Sequence, residues 1–414
     1  MQIVLLAIGS HGDVLPFLAI GAELRRRKYS VTLAAPASFQ DLAVSAGLSF
    51  HPLGTRSDFD TVVQDADLWH PRRGPALLLR FMSSLTEEIY DWLASQCRAG
   101  DLIVAQPACL AARLAQERHG LSLATVHVAP FLIESRYDPP TLPGLPLPGF
   151  LPARLRHWIG RGADTYVIGP AVLPTLNAFR AKLGLGPVRR LRYWWNSPDR
   201  LLLMFPPWYA PPQKDWPLQA VQVGFGMADR LGDQPSLTPE LEAFLQAGSA
   251  PLAFTYGSAM RLGSEFFEKA VALCRRMNRR GVLLAPQEGQ VPAGLPAEIL
   301  HQPYAPFSLL LPRCAALIHH GGVGTVAQAL AAGIPQLVVP VAFDHFDEGR
   351  RLKWLRAGAV LSRRRFTPTR AARVLHRLMN ALDVAQACAV AQEHMSHSDG
   401  TAAACDEIEH MLTS

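Results

Sequence analysis

Residues Leu317 to Asp347 read LIHHGGVGTVAQALAAGIPQLVVPVAFDHFD. An apolar run enters the glycine-rich turn HHGGVGT. Small and apolar residues suited to a packed helix follow from Val326 to Ala332, and Gln336 to Val341 is a second apolar run. Strand, turn, helix and strand within about thirty residues make a βαβ unit, whose strands lie parallel. Such a turn aims backbone N–H groups and the positive end of a helix dipole at an anion. It is neither a Walker A loop nor GxGxxG, because no Gly-Lys-Ser/Thr follows and the glycine spacing differs.

The alternation persists outward from this unit. Leu252 to Tyr256, Gly281 to Ala285 and Ala315 to His319 read as strands, with a helix from Glu265 to Asn278. The chain's start, MQIVLLAIGSHGDVLPFLAIGAEL, repeats the pattern with a run from Ile3 to Ile8, a turn, and helical spacing from Leu15 to Arg26. Tyr29 to Ala35, Leu48 to Leu53, Leu102 to Gln106 and Ser122 to Val128 extend the series. Continuous rather than alternating apolar runs mark parallel strands covered on both faces. The expected fold class is α/β, with two Rossmann-like doubly wound domains and no sequence repeat between them.

Composition narrows the class. In 414 residues, 49% hydrophobic and only 18% charged content excludes a disordered chain or a coiled coil. No apolar run approaches the ~20 residues that cross a bilayer, and MQIVLLAIGSHGD reads as a buried strand rather than a leader. The six cysteines are scattered without a CxxC pair, as in a reduced cytoplasmic chain. Net charge is +6, and five of the 40 basic residues are lysine. Arg25-Arg26-Arg27-Lys28, Arg189-Arg190-Arg192 and Arg363-Arg364-Arg365 are separated by apolar stretches and lack a basic-aromatic motif; no nucleic-acid partner is expected. DPPTLPGLPLPGFLP (Asp138 to Pro152) reads as an apolar loop, and FPPWYAPPQKDWP (Phe205 to Pro217) as a linker between domains 1–216 and 217–395.

HHGGVGT, followed by AGIPQLVVP and then Asp344, resembles the nucleotide-sugar signature of GT-B glycosyltransferases of family 1. GSHGDVLP resembles the N-terminal motif of that family's bacterial members. Tyr256-Gly257-Ser258 resembles its phosphate-contacting turn, and Tyr304-Ala305-Pro306 the strip that meets the base. LLLMFPPWYAPPQKDWP and DADLWHPRRG resemble the rhamnosyltransferases of rhamnolipid synthesis. The resemblance implies a GT-B fold and an active site in the cleft between halves. The N-terminal half would bind the acceptor, the C-terminal half the nucleotide sugar, and a last helix within 396–414 would return to the N-terminal domain.

The resemblance also implies roles. Asp13 would be the base that takes the acceptor hydroxyl's proton, though a carboxylate there also suits a helix N-cap. His11 is the rival base or an acceptor contact. Gly12, Gly257, Ser258, Tyr304, Ala305, Gly321, Gly322, Val323, Gly324 and Thr325 would line the donor. His319, preferred over His320, would steady the diphosphate with a hydrogen bond or a positive charge. Asp344 and His345 would grip the sugar, His345 replacing the usual glutamine and Glu348 a later asparagine; Gln328 is the nearest candidate for the ribose.

No metal and no cofactor are expected, the nucleotide sugar being a co-substrate. Asp65-Ala-Asp67 matches the metal-binding Asp-x-Asp pattern by letters alone, far from the donor motifs. Trp194, Trp195, Trp208, Tyr209 and Trp216 would either rim an acceptor or pack within the fold. The leading expectation is inverting, metal-independent transfer of L-rhamnose from dTDP-L-rhamnose to a lipophilic alcohol such as a hydroxy-fatty acid, with peripheral contact at the inner membrane. A UDP-hexose transferase of a sterol or polyketide, or a non-catalytic sugar-nucleotide-binding subunit, are the alternatives.

Overall fold

Every apolar run named above becomes a strand or part of one. The computed structural model describes residues 1–143, 147, 150–227, 236–257, 260, 263–413. The chain divides into one unit of residues 1–228 with 399–414, and a second of residues 229–398. In the first, β1 (Gln2–Leu6), β2 (Ser30–Ala35), β3 (Ser49–Pro52), β4 (Leu102–Ala105), β5 (Ser122–His127), β6 (Arg200–Leu203) and β7 (Ala220–Gln222) form one sheet. In the second, β8 (Leu252–Thr255), β9 (Gly281–Leu284), β10 (Ile299–Gln302), β11 (Ala316–His319), β12 (Gln336–Val338) and β13 (Gly358–Val360) form another.

All pairings are parallel. The strand orders are β3-β2-β1-β4-β5-β6-β7 and β10-β9-β8-β11-β12-β13. Counted from its own first strand, the second sheet repeats the order of the first six strands of the first sheet. The two units therefore share one strand order over six strands. In each, the order reverses once, between β1 and β4 and between β8 and β11. Chain ends at such a switch point leave open the crevice where ligands bind doubly wound sheets. Ile3 to Ile8 are no more than 2% exposed, as helices on both faces of a parallel sheet require.

Two expectations are corrected. The proline-rich stretch from Phe205 to Pro217 is no linker: it lies inside the first unit, between β6 and β7. Phe205, Tyr209 and Ala210 are buried, and the Gln222 amide donates to the Phe205 and Ala210 carbonyls. The division near 216/217 moves past β7 for the same reason, since Leu201–Leu203 pair with Ala220–Gln222. The final helix, Gly400–Thr413, belongs to the first unit. Arg27 there reaches Asp406 and Glu409, each at 2.6 Å, and the Cys405 thiol meets the Ile20 carbonyl.

Candidate functional site

At the end of β1 the chain turns through Gly9 and Ser10 into the helix His11–Arg26. The Asp13 carboxylate folds back on this turn. Its Oδ2 accepts the Ser10 N–H at 2.9 Å and the Ser10 hydroxyl at 3.1 Å. Gly9 has φ +137°, and a Cβ there would lie 2.4 Å from that same oxygen, so only glycine lets the carboxylate tuck in. Burial raises the Asp13 pKa above the ordinary carboxylate value and outweighs the two Ser10 hydrogen bonds, which lower it. Ser10 rather than Asp13 is the helix N-cap, and Asp13 is the third residue of a capping box with a pKa raised by burial.

Sequence reasoning missed Gln106, just beyond β4. Its amide donates to the Asp13 carbonyl at 3.0 Å, and its Oε1 accepts the Ile8 N–H at 2.9 Å. The residue pins the two strand ends at the switch point. His11 is exposed and turns its ring edge onto Phe39, with centroids 5.0 Å apart. No hydrogen bond joins it to Asp13 among the described residues. Gly12 lies in the helix's exposed first turn, where a Cβ would meet only the Ser10 hydroxyl, at 3.9 Å.

The second unit builds a different turn on the other strand of its switch point, after β11. His319 ends β11 fully buried. Its Nδ1 accepts the Gly321 N–H at 3.1 Å, which leaves Nε2 to carry the proton and donate to Gln336 Oε1 at 3.0 Å. Both ring nitrogens are spent within the fold. The expectation that His319 faces a phosphate is therefore corrected: neither ring nitrogen is left to do so.

The His320 ring lies against Gly257 and Gly322, where added Cβ atoms would come within 3.2 and 2.7 Å of Nε2. Its Nδ1 is buried without a partner, an orphan that a ligand oxygen would satisfy. Burial lowers the pKa of His320 to about 4 and of His319 to about 3. A neutral imidazole there offers a hydrogen bond and no positive charge. Gly322 caps the helix Val323–Ala331 without a side-chain hydrogen bond, leaving first-turn N–H groups at Val323, Gly324 and Thr325 for an anion. Gly324 is exposed, Thr325 half-buried, and Gln328 Oε1 is a second buried orphan. Ser258 lies outside the described residues.

Comparison with known proteins matches both turns at once. Residues 3–137 match the glycosyltransferase family 28 N-terminal domain, and 281–409 the C-terminal domain of erythromycin biosynthesis protein CIII-like proteins. The chain is 34% identical over 376 residues to the O-mycaminosyltylonolide 6-deoxyallosyltransferase of Streptomyces fradiae, covering 85% of this chain and 83% of that one. The chain belongs to the family 28/EryCIII-like glycosyltransferases.

A sterol 3-beta-glucosyltransferase of Arabidopsis thaliana is 28% identical over 85% of this chain and 56% of its own. The glycosyltransferase of kitacinnamycin superposes with a TM-score of 0.77 at 18% identity, covering 99% of each chain. The spinosyn rhamnosyltransferase superposes at 0.70 and 19%, covering 100% of this chain and 99% of that one. These neighbours show the GT-B fold.

The glycosyltransferase's expected sugar-gripping pair sits where β12 hands over to the helix His345–Trp354. Asp344 is its half-buried N-cap, whose carbonyl accepts the Asp347 and Glu348 N–H groups. Phe343 holds φ at +50°, a strained conformation for a bulky residue beside the site. His345 is only 5% exposed. Its Nδ1 accepts the Val341 and Ala342 N–H groups at 3.4 and 3.2 Å, so the proton is on Nε2. Its ring stands edge-on to His320, centroids 4.7 Å apart, and burial holds its pKa well below the ordinary value. His345 therefore packs edge-on against His320. Glu348 and Asp347 are fully buried, Asp347 pairing with Arg351 at 2.9 Å.

Tyr304 is 65% exposed and Ala305 buried, at the end of β10. The aromatic rim is largely absorbed by packing. Trp195 and Tyr209 are core residues, and Trp194 donates its indole N–H to Glu117 between the guanidinium groups of Arg113 and Arg180. Asp65 caps a short turn, its Oδ1 accepting the Asp67 N–H, while Asp67 pairs with Arg73 at 3.0 Å.

Proposed function

We propose that this glycosyltransferase moves a deoxy sugar, foremost L-rhamnose, from a thymidine diphosphate donor to the hydroxyl of a lipophilic acceptor, with inversion and without a metal. The observation that carries the reading is the pair of turns: a half-buried, upward-tuned carboxyl in one unit and a neutral glycine-histidine cradle with orphaned polar groups in the other.

The acceptor oxygen forms a bond to the anomeric carbon as the bond from that carbon to the diphosphate oxygen breaks. The electron pair leaves with the diphosphate, and the hydroxyl proton passes to Asp13. His320 and the N–H groups of Val323, Gly324 and Thr325 receive the charge that develops on the leaving group. Asp344 holds sugar hydroxyls, His345 orients His320, and Tyr304 stacks on the base.

Relatives support the sugar and acceptor classes. One transfers a 6-deoxyallosyl group, another glucosylates sterols, and the spinosyn rhamnosyltransferase has been solved with thymidine diphosphate. Hydroxy-fatty acids are the first acceptors to test, then macrolide-like and sterol alcohols; UDP-hexose is the second donor. Mass analysis of products from a matrix of dTDP- and UDP-sugars with these alcohols tests the reading. A dTDP-deoxy sugar on an apolar alcohol, formed equally in EDTA, is the expected product. Transfer confined to hydrophilic acceptors, or strict metal dependence, would overturn it.

A further inference from the structure

The helix Ala153–Ala163 and the turn of wider helix that continues it to Ile168 are amphipathic in the wrong sense for water. None of the residues in either segment is buried. Arg156, His157, Gly160, Arg161 and Asp164 line a small cavity with Glu134 and Arg192. His157 approaches Glu134 at 3.6 Å and Arg192 approaches Asp164 at 3.5 Å. The apolar side faces out: Leu155, Trp158 and Tyr166 follow one another at helical spacing, with Trp158 73% and Tyr166 81% exposed. Val167 and, just before the helix, Phe150 are exposed beside them.

Charge selects what covers this stripe. Between Pro139 and Pro198 the chain carries seven arginines and a lysine against one acid, Asp164. Arg154 is exposed beside the stripe and Arg161 is exposed at the rim of that cavity, and no carboxylate pairs with either among the described residues. Arg190, tied to Glu134 at 2.9 Å, places the exposed Tyr193 and Arg189 in the same neighbourhood.

We infer that this face docks on an anionic lipid bilayer, with Trp158, Tyr166 and Leu155 in the headgroup–acyl boundary and Arg154 and Arg161 on lipid phosphates. Tryptophan and tyrosine favour that boundary because their rings are apolar and their tips polar. Arginines flanking an apolar stripe suit an interfacial helix, whereas a dimer of two such faces would set unpaired cations against each other. The inference does not depend on the identity of donor or acceptor.

The test is sedimentation of the full chain with vesicles of phosphatidylcholine alone or mixed equally with phosphatidylglycerol. Binding to the mixed vesicles only, weakened by salt, is the expected result. Trp158→Ala with Tyr166→Ala should lower vesicle affinity about tenfold or more. Arg154→Gln with Arg161→Gln should lower it roughly fivefold per residue on phosphatidylglycerol. Both variants should melt as the parent does, because the replaced side chains touch no core. Parent binding equal on both vesicle types, no binding to either, or unchanged binding by the aromatic variant would overturn the inference. So would self-association of the parent that the aromatic variant abolishes while vesicles bind neither protein.

Discussion

The turn after β1 and the turn after β11 both lie at the switch point of their sheet, one after the first strand and one after the fourth, yet they respond oppositely to a proton. Asp13 is a carboxyl whose pKa burial raises, so ionising it in the folded state costs stability that acid restores. His319 and His320 are imidazoles held neutral, with pKa values of about 3 and about 4. Their contribution is fully present above the ordinary histidine pKa of about 6.5 and is lost as pH falls below it. One architecture thus carries a carboxyl of raised pKa in the first unit and neutral imidazoles beside an uncapped helix N-terminus in the second. Strand order fixes where chemistry occurs, and the residues that meet the helix N-terminus fix which chemistry.

The sharpest break of this contrast is Asp13→Asn. It keeps the Ser10 hydrogen-bonding site but removes the proton acceptor, so transfer should fall on the order of 10² or more while donor binding persists, as turnover assays and nucleotide titration will show. Near-normal turnover would reassign the base. With the parent, the acidic limb of kcat/KM should lie above the ordinary carboxylate range.

The next effect separates the two histidines. His320→Ala should cost transfer about 10- to 10²-fold and weaken nucleoside diphosphate binding, with little change in melting temperature. His319→Ala should do the reverse: it strands the Gln336 carbonyl and the Gly321 N–H in the core, at about 1–3 kcal/mol of stability. Calorimetry and titration of both variants decide between them.

A smaller effect comes from titrating the parent. Between pH 6.5 and about 4 the unfolded histidines bind protons that the folded ones refuse, so thermal stability should fall as pH drops, by up to about 1.4 kcal/mol per histidine and pH unit. His320→Ala should flatten this dependence. Least affected of all should be Gly12→Ala, within about threefold of parent turnover, since its Cβ enters open space in a helix where alanine is favoured. A large loss there would mean that substrate passes over that first turn.

Much of this was legible in the sequence because parallel strands write themselves as continuous apolar runs. Ile3 to Ile8, Leu102 to Gln106 and Leu252 to Tyr256 needed no tertiary information. Both turns were equally visible, since a glycine-rich strand-to-helix junction is a local feature. What escaped were partners set by the third dimension. Gln106 acts 93 residues from Asp13, and Gln336 acts 17 from His319. Choosing between adjacent histidines needed to know that the last strand residue points into the core. The proline-rich stretch misled because prolines mark irregular backbone without saying which side of a boundary it covers; Tyr209 and Phe205, both fully buried, decide that.

The helix Gly400–Thr413 adds a consequence for how the molecule is made. It completes the first unit, where Arg27 holds Asp406 and Glu409, but a ribosome delivers it only after the whole of residues 229–398. The earlier-born unit therefore waits, its helix from His11 to Arg26 uncovered along one flank, while the later-born one can close on its own sequence. Vectorial synthesis inverts the order of maturation: the half carrying Asp13 emerges first and is finished last.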